Sequence, residues 1–339
     1  MVETVLNGAK ILVTGGAGFI GSELVRQLMR EGAKVIVVDN LVNGKPENLE
    51  EIIGDNVSLQ VVDIRDERVL ENLLKGVDIV YHLACLGVRH SIHNPRENHE
   101  VNASGTLSLL GMSKKSNVGR FIYVSTSEVY GTARHTPMTE EHPTLPHTVY
   151  GGSKLAGECY TRAFFDTYNY ETVVVRPFNA FGPRSHHEGD SGEVIPKFML
   201  RALSGEPLII FGDGLQTRDF TFVADIARGI LLAGISENST GETINLGHGK
   251  EIAILNLAKI VMQITNNLDS RVIFDDCRPG DVRRLFADTT KAKDLLGYAP
   301  ETSLEEGLKK LHKWYKGLKQ DPKKLLQDEI SYNWLTTGI

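Results

Sequence analysis

Short apolar runs recur along the first half of the chain, separated by stretches long enough to form helices. They read KILVTG, KVIVVD, VSLQVVD, VDIVYHLA, RFIYVS and ETVVVRP. Near-continuous apolar strands alternating with amphipathic segments predict a parallel sheet covered by helices on both faces. Between the first two runs, Ile20, Leu24 and Leu28 recur at helical spacing, and Gly32 stands where a left-handed cap would end the helix. This stretch reads as a βαβ unit. After RPFNAFGPR the pattern loosens into a loop rich in Gly, His and Pro, GPRSHHEGDSGEVIP, followed by shorter strands and helices. The expected architecture is α/β: a doubly wound parallel sheet with a smaller C-terminal lobe. DFTFV and ETINLG, within residues 219–248, are expected to revisit the sheet, so the two parts interleave.

With 339 residues and roughly 150 per domain, two such lobes each have room for a core. The composition is 41% hydrophobic and 24% charged with a net charge of -6, and no basic cluster invites a nucleic acid. No apolar run is long enough to span a bilayer, and MVETVLNGAKILVTGG has neither the basic start nor the apolar length of a leader, so a soluble, cytoplasmic protein without a membrane partner is expected. Cys85, Cys159 and Cys277 are odd in number, widely spaced and near apolar segments, as reduced core cysteines are.

The first candidate chemistry is VTGGAGFIG, which follows the first strand directly and places Gly15, Gly16, Gly18 and Gly21 at the turn into a helix. Glycines there let the backbone approach a pyrophosphate, and the helix N-terminus offers its free amides to the phosphates. Asp39 ends the second strand 18 residues after Gly21, where a ribose-binding carboxylate belongs. A tight turn or a helix cap would explain either feature alone, but not their coincidence. Asp39 would repel a 2′-phosphate and no arginine follows it closely, which favours NAD over NADP. Asp63 and Ile64, after the third strand, could line the adenine pocket.

VYGGSKLAGE sets Tyr150 and Lys154 four apart, on one face of a helix. A tyrosine of ordinary pKa, about 10, is a poor base at neutral pH, but a neighbouring ammonium and a positive nicotinamide ring would favour the phenolate. Such a tyrosine could take a sugar hydroxyl's proton while hydride leaves the same carbon. An exposed helical pair would look the same, and the glycine turn in front is what lifts the reading.

The glycine turn, Asp39, the Tyr150/Lys154 pair, Asn102 in NASGT and RPFNAFGPR together resemble the extended short-chain dehydrogenase/reductase family, in particular its nucleotide-sugar epimerases and dehydratases. The likeness runs through GDGLQTRDFTFVADIARGI and RPGDVRR, over nearly the whole chain. It implies a Rossmann-type NAD-binding domain over residues 1–178 and, over residues 179–339, mainly a nucleotide-sugar lobe. It also implies that Thr126 hydrogen-bonds the reacting hydroxyl, Tyr150 is the base and Lys154 orients the nicotinamide ribose. Phe19, Ile20, Asn40, Leu83, Ala84 and Asn102 would complete the cofactor site. Asn179, Arg218 and Arg283 would hold the sugar nucleotide, the arginines on its phosphates, which suits a planar guanidinium. A homodimer is implied through the helices that include the Tyr150 segment, with Leu155, Cys159 and Phe164 as apolar contacts.

STSEVYG carries the remaining signal. A simple C4 epimerase needs no carboxylate beside Thr126, whereas chemistry at C5 or C6 does, because oxidation at C4 acidifies the C5 proton. Glu128, two residues on in an expected extended segment, would point the same way as Thr126. TSE resembles the 4,6-dehydratases and the UDP-glucuronate decarboxylases. Ser127 stands where some dehydratases carry an aspartate that protonates the departing C6 hydroxyl. The second lobe looks more like the UDP-sugar 4-epimerases. The reading is a UDP-sugar 4,6-dehydratase first, a C4 epimerase next and a decarboxylase third. An NAD-sensing scaffold and a dehydrogenase that consumes NAD are the alternatives in other classes.

His90 and His93, and His186 and His187 beside Glu188 and Asp190, raise a metal site, but Asn94 and Pro95 interrupt the first group and no further ligand sits at a convincing spacing. No metal is expected. Cys85 in HLACLG reads as a core thiol, and no Gly-x-Ser-x-Gly elbow supports a hydrolase.

Overall fold

The computed structural model describes residues 6–189, 192–267, 271–277 and 282–330. The chain opens with β1 (Lys10–Thr14), α1 (Phe19–Arg30) and β2 (Lys34–Asp39), the expected βαβ unit. Gly32, at φ 84°, donates its amide to Met29 and lets the chain turn out of α1. Next come β3 (Val57–Val61), α2 (Glu67–Leu73), β4 (Ile79–His82), α3 (Val88–His93), α4 (Pro95–His99), a π-helical turn (Glu100–Gly105), α5 (Thr106–Lys115) and β5 (Arg120–Val124). A 3-10 turn (Ser127–Tyr130) precedes the long α6 (Val149–Tyr168), followed by β6 (Thr172–Pro177) and β7 (Asn179–Phe181). The remainder runs α7 (Val194–Ser204), β8 (Leu208–Phe211), β9 (Thr217–Phe222), α8 (Val223–Ile235), β10 (Thr243–Leu246), β11 (Glu251–Ala253) and α9 (Ile254–Thr265). It closes with β12 (Val272–Asp275), β13 (Arg284–Leu285), α10 (Thr290–Leu296), α11 (Leu304–Gly317) and α12 (Pro322–Leu325).

Seven strands form one sheet in the order β10-β6-β5-β4-β1-β2-β3, every pairing parallel. This is the doubly wound α/β architecture the strand pattern predicts. Alternation along β1 sends Ile11 and Val13 to one face, against Leu24 and Leu28 of α1 and Ile226 and Ile230 of α8, while Leu12 packs on the other with Leu109 of α5. Of the two segments expected to revisit this sheet, ETINLG does, as its edge strand β10. DFTFV does not: β9 pairs with β7, β11 and β13 in a small separate sheet. A second core of Phe198, Met199, Leu257, Val261, Leu308 and Leu311 holds α7, α9 and α11 around that sheet. Among the described residues no helix is long and apolar enough to cross a membrane.

One buried ion pair joins the sheet to α6. Glu158 and Arg176 are almost wholly buried, and the guanidinium meets the carboxylate through Nε at 2.9 Å and Nη2 at 2.6 Å. Burial alone would raise the Glu158 carboxyl, but Arg176 and the Ser125 hydroxyl hold it below its ordinary value. Arg176 also donates to the Tyr130 hydroxyl, which donates to Asn245 of β10 at 2.6 Å. Removing one partner strands a charge, which costs about 3–5 kcal/mol at such sites. Glu158→Gln should therefore lose about that much in urea unfolding, and pairing it with Arg176→Met should recover part of the loss.

Candidate active site

A cavity of about 950 Å³ lies where the C-terminal ends of β1, β2, β4, β5 and β6 face α7, β8 and β9. That position follows from the parallel sheet, whose strand ends open into a crevice where the connections part.

At the β1 end, the glycines are required by close approach. A Cβ on Gly15, whose φ is 70°, would fall 2.7 Å from the Ala84 amide, and one on Gly21 would fall 2.1 Å from the Gly15 carbonyl oxygen. No side chain caps α1, which starts at Phe19 after Gly18, so its first-turn amides stay available to an anion. Asp39 is buried, with Oδ2 accepting the Ala17 amide at 3.0 Å and Oδ1 the Leu41 amide at 2.9 Å. Burial pushes its carboxyl up and these two amides oppose it. Each oxygen keeps a lone pair for a ribose hydroxyl. This cradle fits a dinucleotide.

Gly15, Gly18, Phe19, Ile20, Gly21 and Asp39 all line the cavity, as do Asn40, Asp63, Ile64, Leu83 and Ala84. Asn40 donates to Asp63, and a two-point contact from Arg65 holds the Asp63 carboxyl down at about 2. Asn102 is not on the wall. It is buried one layer behind, in the π-helical turn, where its amide holds both backbone groups of Leu86 and donates to Ser153 of α6. It ties the β4 loop to the helix that carries Tyr150.

Thr126, Ser127, Glu128, Tyr150 and Lys154 line one stretch of the cavity. The expected extended segment is absent: β5 ends at Val124, and Thr126 caps the 3-10 turn by accepting the Glu128 amide at 3.2 Å. Glu128 reaches the cavity through this turn rather than by strand alternation. Thr148 caps α6 by accepting the Gly151 amide at 3.0 Å, which sets Tyr150 in the first turn and Lys154 one turn on. Lys154 is buried, donates to the Val124 carbonyl at 2.7 Å and lies 4.4 Å from the Tyr123 ring centroid. Burial pulls its ammonium down, against Cys85 and Glu158.

The expectation that Lys154 lowers the Tyr150 phenol is not met by the protein's own groups. Burial pushes it well above its ordinary value, Cys85 adds to that, a hydrogen bond with Thr126 opposes and Glu128 raises it again. Glu128 and Cys85 are therefore electrostatic neighbours of Tyr150. Cys85 lines the cavity rather than the core.

On the far wall, Asn179 presents a buried Oδ1 without a hydrogen-bond partner among the described residues, an orphan that a ligand donor would satisfy. Arg218 lines the cavity and donates to the carbonyls of Thr217 and Val282. Arg283 is not among the lining residues; its half-exposed guanidinium pairs with Asp213 at 2.8 Å. Residues 278–281 of RPGDVRR lie outside the described residues. Leu155 packs beside Val129 and Tyr130, Phe164 lies against the core behind α6, and Cys159 is exposed.

His90 Nε2 lies 3.1 Å from the Glu97 carboxylate and His187 Nδ1 3.2 Å from that of Glu188, and burial favours the neutral form of the His187 ring. Asp190 lies outside the described residues, among which no three His, Cys, Asp or Glu are grouped to hold a metal. The sequence reading missed Glu193, which lines the cavity beside His186 and accepts no side-chain role as the cap of α7. Its approach to the cavity comes from the tertiary position of α7, so no local pattern announces it.

The family model described as GDP-mannose 4,6 dehydratase matches residues 12–311. A putative UDP-glucose 4-epimerase of Methanocaldococcus jannaschii is 37% identical over 309 residues, which cover 90% of this chain and 98% of that one. UDP-glucuronic acid decarboxylase 2 of Arabidopsis thaliana is 38% identical over 307 residues, 89% of this chain and 67% of that one. The solved structure of DesIV, a dTDP-glucose 4,6-dehydratase of Streptomyces venezuelae with NAD bound, is similar with a TM-score of 0.85 at 34% identity, covering 91% of this chain and 97% of that one.

Burial pushes the Glu193 carboxyl up to about 8. A raised folded-state value means the native chain keeps a proton that the unfolded chain releases, so the group's contribution is full below its ordinary range and lost as pH rises through about 8. Glu193→Gln should match the wild-type Tm near pH 4.5 and exceed it by a few degrees at pH 8. A pH-independent difference between the two melting curves would contradict this assignment.

Proposed function

This chain belongs to the GDP-mannose 4,6-dehydratase family of nucleotide-sugar enzymes, and we propose that it is an NAD-dependent UDP-sugar 4,6-dehydratase. The observation that carries this reading is Glu128, a carboxylate lining the cavity as an electrostatic neighbour of Tyr150. A C4 epimerase has no task for such a group.

Bound NAD supplies the hydride acceptor, a positive ring that favours the Tyr150 phenolate, and the same hydride on return. The glycine turn and the first amides of α1 would hold its pyrophosphate, and Asp39 its adenosine ribose. Thr126 holds the sugar C4 hydroxyl, and Tyr150 takes its proton as the C4 ketone forms. The C5 proton is then acidic, and Glu128 removes it. Breaking the C6–O bond needs a proton on the departing oxygen. Ser127, buried and neutral, is a poor donor, so Glu128 passes on the proton it has just taken, and water leaves. C6 then receives the returned hydride and C5 a proton, which balances the one Tyr150 took and restores the starting charges. Asn179 and Arg218 hold the nucleotide handle against the far wall. The proposed assembly is a homodimer through α6.

Ser127 favours a second reading, the UDP-sugar C4 epimerase, in which the ketone turns over and no group acts at C5. Incubation with UDP-glucose, UDP-N-acetylglucosamine, UDP-glucuronate and GDP-mannose, followed by product mass, separates the cases. Loss of water is expected; an isomer of unchanged mass means epimerisation, loss of carbon dioxide means decarboxylation, and no reaction with any of the four rejects the substrate class. Tyr150→Phe should cut kcat by about 10²–10⁴, as loss of a positioned base does. Glu128→Gln should reduce dehydration by a similar factor, whereas an epimerase would keep most of its rate.

A further inference from the structure

We propose that Lys45 and Glu188 form a clasp across the cofactor cleft that retains the dinucleotide between turnovers. This rests on the reading that hydride returns from the same bound cofactor.

Lys45 lies in the loop after β2. Its amide donates to the Ala17 carbonyl of the glycine turn at 3.0 Å, and its neighbour Gly44 is pressed on the Asp39 carboxylate, which a Cβ would meet at 2.6 Å. The backbone of this loop is thus fixed to the two parts of the cradle that would hold pyrophosphate and ribose. Its side chain leaves the cradle and pairs with Glu188.

Glu188 belongs to residues 182–189, which follow β7. Its carboxylate also accepts the His187 amide at 3.0 Å. The same segment is fastened to α1 by Arg184, which donates to the Ser22 hydroxyl at 3.1 Å and pairs with Glu23 at 2.5 Å. Behind it, the Gly189 amide donates to the Asp328 carbonyl at 2.7 Å, Glu329 pairs with Arg201 at 2.9 Å and Lys197 donates to the Ile330 carbonyl at 2.8 Å. The C-terminal segment therefore backs the Glu188 segment on α7, a role its sequence did not suggest. Arg184 and Glu188 meet the cofactor half at two points, one on α1 and one on the loop beside Asp39. His186, beside them, lines the cavity into which the glycine turn opens, so on this proposal the segment borders the path by which a dinucleotide seated in that turn would leave.

The Lys45–Glu188 pair is the part of this closure that can open cheaply, because the Lys45 side chain is 48% exposed and its pairing is screened by salt. The tighter Arg184–Glu23 contact, 15% and 12% exposed, acts as the hinge side. Neither Lys45 nor Glu188 has a role in the chemistry above.

The test follows release of deuterated NAD from the full-length enzyme into an excess of ordinary NAD, by mass measurement. Lys45→Met and Glu188→Gln should each speed release about fivefold, equivalent to about 1 kcal/mol. The reversed pair, Lys45→Glu with Glu188→Lys, should bring release back to within about twofold of wild type. Salt that shortens the screening length from about 10 Å to about 3 Å should speed release from wild type and leave the single variants nearly unchanged. Sugar turnover at saturating NAD should not change. Release at the wild-type rate in Lys45→Met, a reversed pair as fast as the single variants, or an equal salt effect on all forms overturns the clasp. Steady accumulation of NADH absorbance during wild-type turnover instead defeats the internal-return reading, whatever the release rates are.

Discussion

Burial of the Glu158–Arg176 pair is the constraint on which the reactive end of the sheet depends. The two charges are taken out of water together, and the hydrogen bonds that compensate them draw on several elements. Ser125 reaches Glu158 from the end of β5, Arg162 from one turn along α6, and Tyr130 meets Arg176 from the 3-10 turn. Asn245 closes the set from β10. A buried pair of this kind adds little to stability relative to a well-packed apolar substitute, and the hydrogen-bond arrangement around it must satisfy both charges. Here that arrangement fixes the turn carrying Thr126 and Glu128 against the helix carrying Tyr150 and Lys154. The residues that would touch substrate are set by residues that never do.

The same logic extends to the cofactor side. His82 is buried between the hydroxyls of Thr14 and Thr106, at 2.7 and 2.9 Å, and burial keeps it neutral, with a pKa of about 3. It links the strand before the glycine turn to α5, while Asn102 links the loop after β4 to α6. Between these two supports Tyr150 is left protonated by the protein alone. Burial, Cys85 and Glu128 all hold the proton on, and the Thr126 hydroxyl is the single opposing contact among the main causes. On the proposed mechanism a base so arranged would keep its proton until a positive charge arrives beside it, which would couple proton abstraction to the presence of oxidised cofactor. Lys154 gives one of its three donors to the Val124 carbonyl, which fixes where its ammonium sits.

What the sequence made legible was what local chemistry dictates. The strand runs, the glycine turn and the carboxylate at the end of β2 depend on neighbours a few residues away, and each appears where periodicity and spacing put it. What was not legible depends on partners far along the chain. DFTFV and ETINLG look alike as apolar strands, and nothing local tells which pairs with β6 and which with β7. Thr126 and Glu128 were read through strand alternation, yet the cap at Thr126 turns the backbone before that rule applies. Asn102 looked like a wall residue and is a strut, because the π-helical turn aims it at Leu86 instead of the cavity. Arg283 was placed by resemblance alone, and its guanidinium sits on Asp213.

A division of labour follows from where these residues lie. The cradle around Gly15, Gly21 and Asp39, with Tyr150 and Lys154, serves any reaction that begins by oxidising a sugar carbon, and relatives with 37% and 38% identity carry the names of an epimerase and a decarboxylase. Asn179 and Arg218 lie on the far wall, where the proposed function gives them the nucleotide handle. On that proposal the choice among outcomes would fall on the groups facing the sugar beyond C4, of which Glu128 and Ser127 are adjacent on one short turn. Glu128 brings a charge beside Tyr150, whose proton it helps to hold. A carboxylate retained there with no reaction of its own would work against the first step, since it opposes formation of the phenolate. That cost is offset if the same group is needed once the ketone has formed, which is the physical reason behind the proposal that it acts at C5.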